Sequence, residues 1–274
     1  MATHLLVTSI PSPVRAGSLQ PARLDWTRRC IRSWLDTNHR VLSLNEPAEG
    51  AEVREHYGAD VTVVEATRST RAINGKPLIY ILDALRAGIA TDAKRVSLCN
   101  ADVVVTRPLP KPWELDGRSF FLSNRLDVED LPASKAEFFG GIDYVNVPAS
   151  LVAALPEAGY AFGMPWWDYW LPMEALKRKL QLRRLVDRNG HPVLIHKKHA
   201  NAWNWQEFRV LGQHFFSHAY VDQDAACSGD HALAGLFAAT AGAPEPDPAF
   251  LNLITLLART TSQFIQQASK PCVV

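Results

Sequence analysis

Along the first hundred residues, short apolar runs alternate with stretches whose apolar positions recur every three or four residues. The runs "HLLVTSI", "HRVLSLN", "ADVTVVEA" and "KRVSLCNADVVV" each predict a strand. Between them, "PARLDWTRRCIRSWLDTN" sets Leu24, Cys30, Ile31, Trp34 and Leu35 at helical spacing. "AEGAEVREHYG" predicts a helix closed by Gly58, and "KPLIYILDALRAGIAT" predicts a third. Short connections and strands apolar on both faces predict an open parallel sheet with helices on both sides.

The second half is less regular. "SFFLSNRLDV", "FFGGIDYVNVP" and "HPVLIHKKH" predict strands, with Gly140-Gly141 marking a bend or a close backbone approach. "PASLVAALPEAGY" predicts a short helix. "NWQEFRVLGQHFFSHAYVD" and "AFLNLITLLARTTSQFIQQA" predict amphipathic helices on either side of a proline-rich loop, "AGAPEPDP". In "LKRKLQLRRL" the leucines fall on one face at helical spacing, which predicts a solvated helix with a basic outer side.

Ligands of open parallel sheets bind outside the carboxyl ends of the strands. The strand ends are Ser9 and Ile10, Asn45, Thr67 and Arg68, then Asn100 and Asp102. The last pair interrupts an apolar run, and a buried carboxylate is unfavourable unless it is paired, hydrogen-bonded or metal-bound. Strand alternation would turn Asn100 and Asp102 to one side. Their oxygens suit Mg²⁺ or Mn²⁺, with substrate phosphates completing the shell. A local turn capped by Asp102 is the alternative. Arg15, in "SIPSPVR", and Lys76 offer further contacts to a base, ribose or phosphate.

Two later segments carry candidate chemistry. In "HKKHANAW", His196 and His199 are candidates for a late metal ligand or a phosphate contact, and Lys197 and Lys198 add positive charge. Their spacing differs from that of a zinc-protease helix. In "PWWDYW", Trp166, Trp167 and Trp170 surround Asp168. This predicts a sugar-stacking site whose carboxylate takes hydroxyls or serves as a general base. An aromatic core with Asp168 as a helix cap is the alternative. "SGDH" (Ser228 to His231) reads as another helix cap.

The ordered set "RCIRSWL", "VLSLN", "YGADVTVVEATR", "GKPLIYILDAL" and "SLCNADVVV" resembles nucleotide-sugar glycosyltransferases of the GT-A fold. "FFGGIDYVNVP", "AFGMPWWDYWL" and "LIHKKHANAW" continue the resemblance, which spans roughly residues 3–205. In that family the fourth strand ends in Asp-x-Asp; here Asn100 replaces the first Asp and Asp102 keeps the last. The resemblance implies an α/β, GT-A-like catalytic domain over residues 1–205 and a helical C-terminal extension, 206–274, packed on it. It implies transfer of a sugar from a nucleoside diphosphate donor to a hydroxyl acceptor. Asp102, Asn100 and His199 would hold the metal, Asp143 would orient the donor sugar, and Asp168 would bind or activate the acceptor. Two rivals remain: a non-catalytic nucleotide- or sugar-binding protein, and a nucleotidyltransferase or phosphohydrolase on the same fold. The glycine-rich phosphate loop of a sugar nucleotidyltransferase is missing after the first strand.

Composition narrows the classes further. The 274 residues are 47% hydrophobic and 21% charged, with a formal net charge of +1, which is ordinary for a globular chain and predicts no nucleic-acid partner. Cys30, Cys99, Cys227 and Cys272 form no C-x-x-C pair, so reduced structural thiols in the cytoplasm are expected. No apolar run is long enough to span a bilayer, and "MATHLLVTSIPSP" lacks the features of a signal peptide.

Overall fold

The structure, a computed structural model, describes residues 4–15, 17–109, 117–132, 135–199, 203–220 and 248–274, with only the backbone of 15 and 218–220. Cys227, the Ser228–His231 cap and the proline-rich loop up to residue 247 lie outside the described residues.

The first half follows the expected alternation. Strands β1 (His4–Thr8), β4 (His39–Asn45), β5 (Val61–Glu65) and β6 (Arg95–Cys99) pair in parallel, with β1 between β4 and β6. A two-stranded ribbon, β2 (Val14–Arg15) and β3 (Ser18–Leu19), follows β1. Helices α1 (Pro21–Asp36) and α2 (Pro47–Tyr57) pack on one face, each opened by a proline whose missing N–H is no loss there. The short α3 (Arg71–Asn74) leads to α4 (Ile81–Ile89), which packs on the other face against β1 and β6.

Beyond β6 the sheet becomes mixed. After β7 (Val103–Val105) come β8 (Ser119–Val128) and β9 (Glu137–Pro148); β9 runs antiparallel to both β6 and β8. The one-turn α5 (Ala149–Val152) and α6 (Trp167–Lys177) follow. The "LKRKLQLRRL" segment is not one helix. Lys179 takes a left-handed φ of 59°, ending α6, and Gln181–Val186 forms β10, parallel to β8, with Leu182 and Leu185 buried. Strand pairing and burial of two leucines outweigh the helical spacing. Strand β11 (Leu194–Lys197) lies between β7 and β8, and α7 (Trp205–Tyr220) and α8 (Pro248–Ala268) cover α6 and β9. The last element, β12 (Lys270–Val273), joins the edge of the sheet beside β10, so the described part of the C-terminal extension is helical and then extended. The main strand order is β12-β10-β8-β9-β6-β1-β4-β5.

The two faces of the sheet carry separate apolar cores. Trp34, Val41, Val53 and Tyr57 fill one under α1 and α2; Leu85, Leu98, Val145, Trp170 and Phe215 fill the other under α4, α6 and α7. Contact of α4 with the sheet is close enough to require a glycine: a Cβ at Gly88 would stand 2.6 Å from Val96 Cγ1 and 3.1 Å from Val7 Cγ2. Both valines are branched and enclosed, so neither can yield. Gly88→Ala is expected to destabilise the protein by about 1–3 kcal/mol, read as a lower denaturation midpoint at unchanged slope.

Candidate metal and transfer site

The site lies where β6 ends. Asn100 N–H donates to Asp143 O at 2.9 Å, the last rung between β6 and β9, and the chain then turns at Ala101 and Asp102 before β7. Two tryptophans of α1 hold this turn: Trp26 Nε1 donates to Asp102 O at 2.9 Å and Trp34 Nε1 to Val103 O at 3.1 Å. The turn separates two side chains expected on one strand face. The Asn100 amide donates to the Asp143 carboxylate, whereas Asp102 faces the histidines.

Register brings those histidines in. His196 on β11 stands opposite Val103 on β7, antiparallel, and opposite Asp127 on β8, parallel. It is thereby one residue along from Asp102. Beyond β11 the chain brings His199 back onto the same spot. His199 Nε2 is 3.0 Å from Asp102 Oδ2, His196 Nε2 is 3.5 Å from the same oxygen, and the two imidazole Nε2 atoms are 3.1 Å apart. One donor atom from each of the three residues falls within 4.8 Å of the others. Asp102 Oδ1 is buried and has no hydrogen-bond partner. A buried, unsatisfied carboxylate oxygen beside two converging imidazoles fits a divalent cation. Burial by itself would raise the Asp102 carboxyl, but hydrogen bonds from His196 and His199 hold it well below the usual range. Burial also opposes charge on His196, yet Asp102 and Asp127 lift its pKa to about 9.

Beneath the trio lies a charged floor. Arg125 Nε donates to Asp127 Oδ1 at 2.7 Å, and its Nη1 donates to both oxygens of Asp143 at 3.0 Å. Asp143, 3% exposed, therefore has both carboxylate oxygens engaged by Arg125 and one also by Asn100. Arg125 stacks on the Phe139 ring at 4.1 Å. Arg125 and Asp127 were not among the residues singled out from sequence. The signal was there: two charges one residue apart in "SNRLDV", the same interruption of an apolar strand that marks Asn100 and Asp102.

Asp168 sits in the first turn of α6, half-buried, and its Oδ2 accepts a 3.3 Å bond from Ile142 N–H. Gly141 makes room, since a Cβ there would be 3.3 Å from that oxygen and 2.4 Å from Phe139 Cε1. Burial, and then the charge of Asp143, push the Asp168 carboxyl up to about 7. No side chain caps α6; Trp166 precedes it with a left-handed φ of 77°. The tryptophans do not form a sugar platform. Trp166, Trp167 and Trp170 are 1–2% exposed, and Trp166 stacks on Phe215 at 5.2 Å in the core. Their rings are closed to a sugar.

The remaining candidates divide. Asn45 is fully enclosed, with its amide donating to Ile10 O at 2.7 Å and its Oδ1 accepting from Ser43 Oγ. Ile10 is also fully buried, and its N–H donates to Ser43 Oγ at 2.9 Å. Both hold the loop after β1 rather than face a ligand. Ser9 is half-buried and Thr67 exposed at the strand ends. Arg68 grips Asp83 at 2.7 Å and Glu157 at 3.0 Å. Lys76 pairs with buried Glu207 at 2.7 Å, tying the segment after β5 to α7. Lys197 and Lys198 pair with Asp130, Glu129 and Glu137 on the surface. The side chain of Arg15 lies outside the described residues.

No protein-family model matches the chain, and no curated protein does. Among solved structures it resembles a cytidylyltransferase of Leptospira borgpetersenii, at 10% identity over 92% of this chain and 97% of that one, with a TM-score of 0.38. A nucleotidyl transferase of Methanothermobacter covers 56% of this chain and 74% of its own at 13% identity and a TM-score of 0.31. The glycosyltransferase GlyE of Streptococcus pneumoniae covers 95% and 64% at 11% identity and a TM-score of 0.35. The mixed α/β sheet stands on its own strand pairing.

The raised pKa of Asp168 has a stability consequence. Its folded value, about 7, lies above the ordinary carboxylate range, so the folded state disfavours the ionised form. Stability should fall as pH rises from the unfolded value towards about 7 and then level off. Asp168→Asn removes that loss. Its melting temperature relative to the parent should rise by a few degrees between pH 4.5 and pH 8; a constant difference would show that Asp168 ionises normally.

Proposed function

We propose that this protein is a divalent-metal-dependent glycosyltransferase, taking a nucleoside diphosphate sugar as donor and a hydroxyl group as acceptor. The observation that carries the reading is the Asp102–His196–His199 trio with the unsatisfied Asp102 Oδ1, at the carboxyl edge of the parallel strands. Asp102, His196 and His199 would hold the cation. Two imidazoles and one carboxylate favour Mn²⁺ over Mg²⁺, which prefers oxygen ligands. A cation bound there supplies positive charge against the departing diphosphate.

The chain's own groups do the rest. Asp168, with its pKa near neutrality, is suited to take the proton from the acceptor hydroxyl. Asp143 acts through its partners: clamped by Arg125 and Asn100, it adds its charge to the burial that raises Asp168 and fixes the floor on which the donor sugar rests. The departures from an all-carboxylate motif are supported by this arrangement, since Asn100 serves Asp143 while the histidines supply the ligands that a second Asp would.

A thermal-shift screen across nucleoside diphosphates tests the reading. Mn²⁺ and the matching nucleotide together should raise the melting temperature more than either alone. Asp102→Ala and His199→Ala should remain folded and lose that coupling. A shift with nucleotide that is the same with and without metal would point to a binding protein, and pyrophosphate release from a nucleoside triphosphate would point to nucleotidyl transfer. With an acceptor in hand, kcat/KM should rise as pH passes about 7, and Asp168→Asn should lower it by a factor on the order of 10²–10⁴ with donor binding kept.

A further inference from the structure

We infer that Asp127 is a positioning residue for the metal centre: it fixes the tautomer and orientation of His196 so that Nε2 presents a lone pair to the cation. The inference rests on the metal-centre reading above and goes beyond it, to a residue that touches no substrate and no metal.

The geometry is specific. Asp127 Oδ1 is 3.0 Å from His196 Nδ1, and the two residues are direct partners in the parallel pairing of β8 with β11. A carboxylate can only accept, so a neutral His196 must carry its proton on Nδ1. Its Nε2 is then bare, and it is Nε2 that faces Asp102 Oδ2 and His199 Nε2. A hydrogen bond from a ligating imidazole to a carboxylate both orients the ring and makes the ligand nitrogen more basic. Asp127 is itself held. Arg125, two residues before it and on the same face of β8, donates Nε to the same Oδ1 at 2.7 Å. Both bonds hold the carboxylate on the Nδ1 side of the ring, in the place of a support rather than of a ligand. His196 is only 4% exposed, so no bulk water competes for Nδ1. Arg125 also grips Asp143, so one guanidinium sets the position of the metal's support and of the floor beside Asp168.

The test is Mn²⁺ affinity, measured by the paramagnetic signal of the free ion on the full chain without substrate. Asp127→Asn should weaken binding by a factor on the order of 10–100. Asp130→Asn, which removes an exposed carboxylate three residues away, should leave it unchanged. In Co²⁺-loaded protein the visible absorption bands of Asp127→Asn should shift, which a loss of stability alone would not produce. If Asp127→Asn does not fold, Asp127→Glu keeps the charge but displaces the carboxylate by a methylene, and should show the same direction of loss. Equal affinity of parent and Asp127 variant, with Asp102→Ala abolishing binding, would overturn the positioning role alone. An equal loss in Asp130→Asn would overturn it in favour of long-range charge. No Mn²⁺ binding by the parent would remove the metal reading and the inference with it.

Discussion

Negative charge gathered at the carboxyl edge of one sheet is the constraint on which the rest of the site depends. Asp102, Asp127 and Asp143 come from three different segments yet are linked through Arg125 and His196, and Asp168 lies within reach of the Asp143 charge. Beside these four carboxylates stand one guanidinium, Arg125, and two imidazoles, His196 and His199. Burial and then the charge of Asp143 push Asp168 up to about 7, Asp102 and Asp127 lift His196 to about 9, and Asp102 Oδ1 is left without a donor. Carboxylates gathered in this way are relieved by protons or by a cation. The chemistry of the site follows from which of these it takes up.

The scaffold answers the same constraint mechanically. Asp102 lies in a turn, where a side chain would ordinarily be free to move. Trp26 and Trp34 of α1 hold the carbonyls of Asp102 and Val103 from one side, and β11 closes from the other. The tryptophans expected to receive sugar do structural work of a different kind: Trp166, Trp167 and Trp170 fill the core behind α6 and so fix the helix that carries Asp168. Two sets of tryptophans thus position Asp102 and Asp168, two of the four carboxylates.

Much of the first half was legible in the chain. Its strands are largely apolar runs and α1 and α4 have clear apolar stripes, so these elements report their own burial, and the parallel frame follows from their alternation. The strand-end rule then led to Asp102, and the paired histidines were visible as unusual residues at the end of a strand. The second half was harder because its elements are decided by neighbours. "LKRKLQLRRL" satisfies helical spacing, yet pairing with β8 and β12 makes its latter part a strand. "KPCV" is not among the strands predicted from sequence, and it becomes an edge strand by pairing with β10.

The sequence by itself determined which residues carry charge and where the apolar strands break, because an oxygen or an imidazole in an apolar run is conspicuous without any fold. Only tertiary structure decided their roles. Asn100 and Asp102 are two apart and were expected to act together, but a turn sends one to Asp143 and the other to the histidines. Asp127 and His196 are separated by 69 positions and meet through strand register alone. Local patterning fixes what a side chain can do; hydrogen-bond partners and access to solvent are set by segments distant in sequence. That is why buried tryptophans and a clamped Asn45 looked like ligand contacts, and why Arg125 and Asp127 passed for ordinary strand residues.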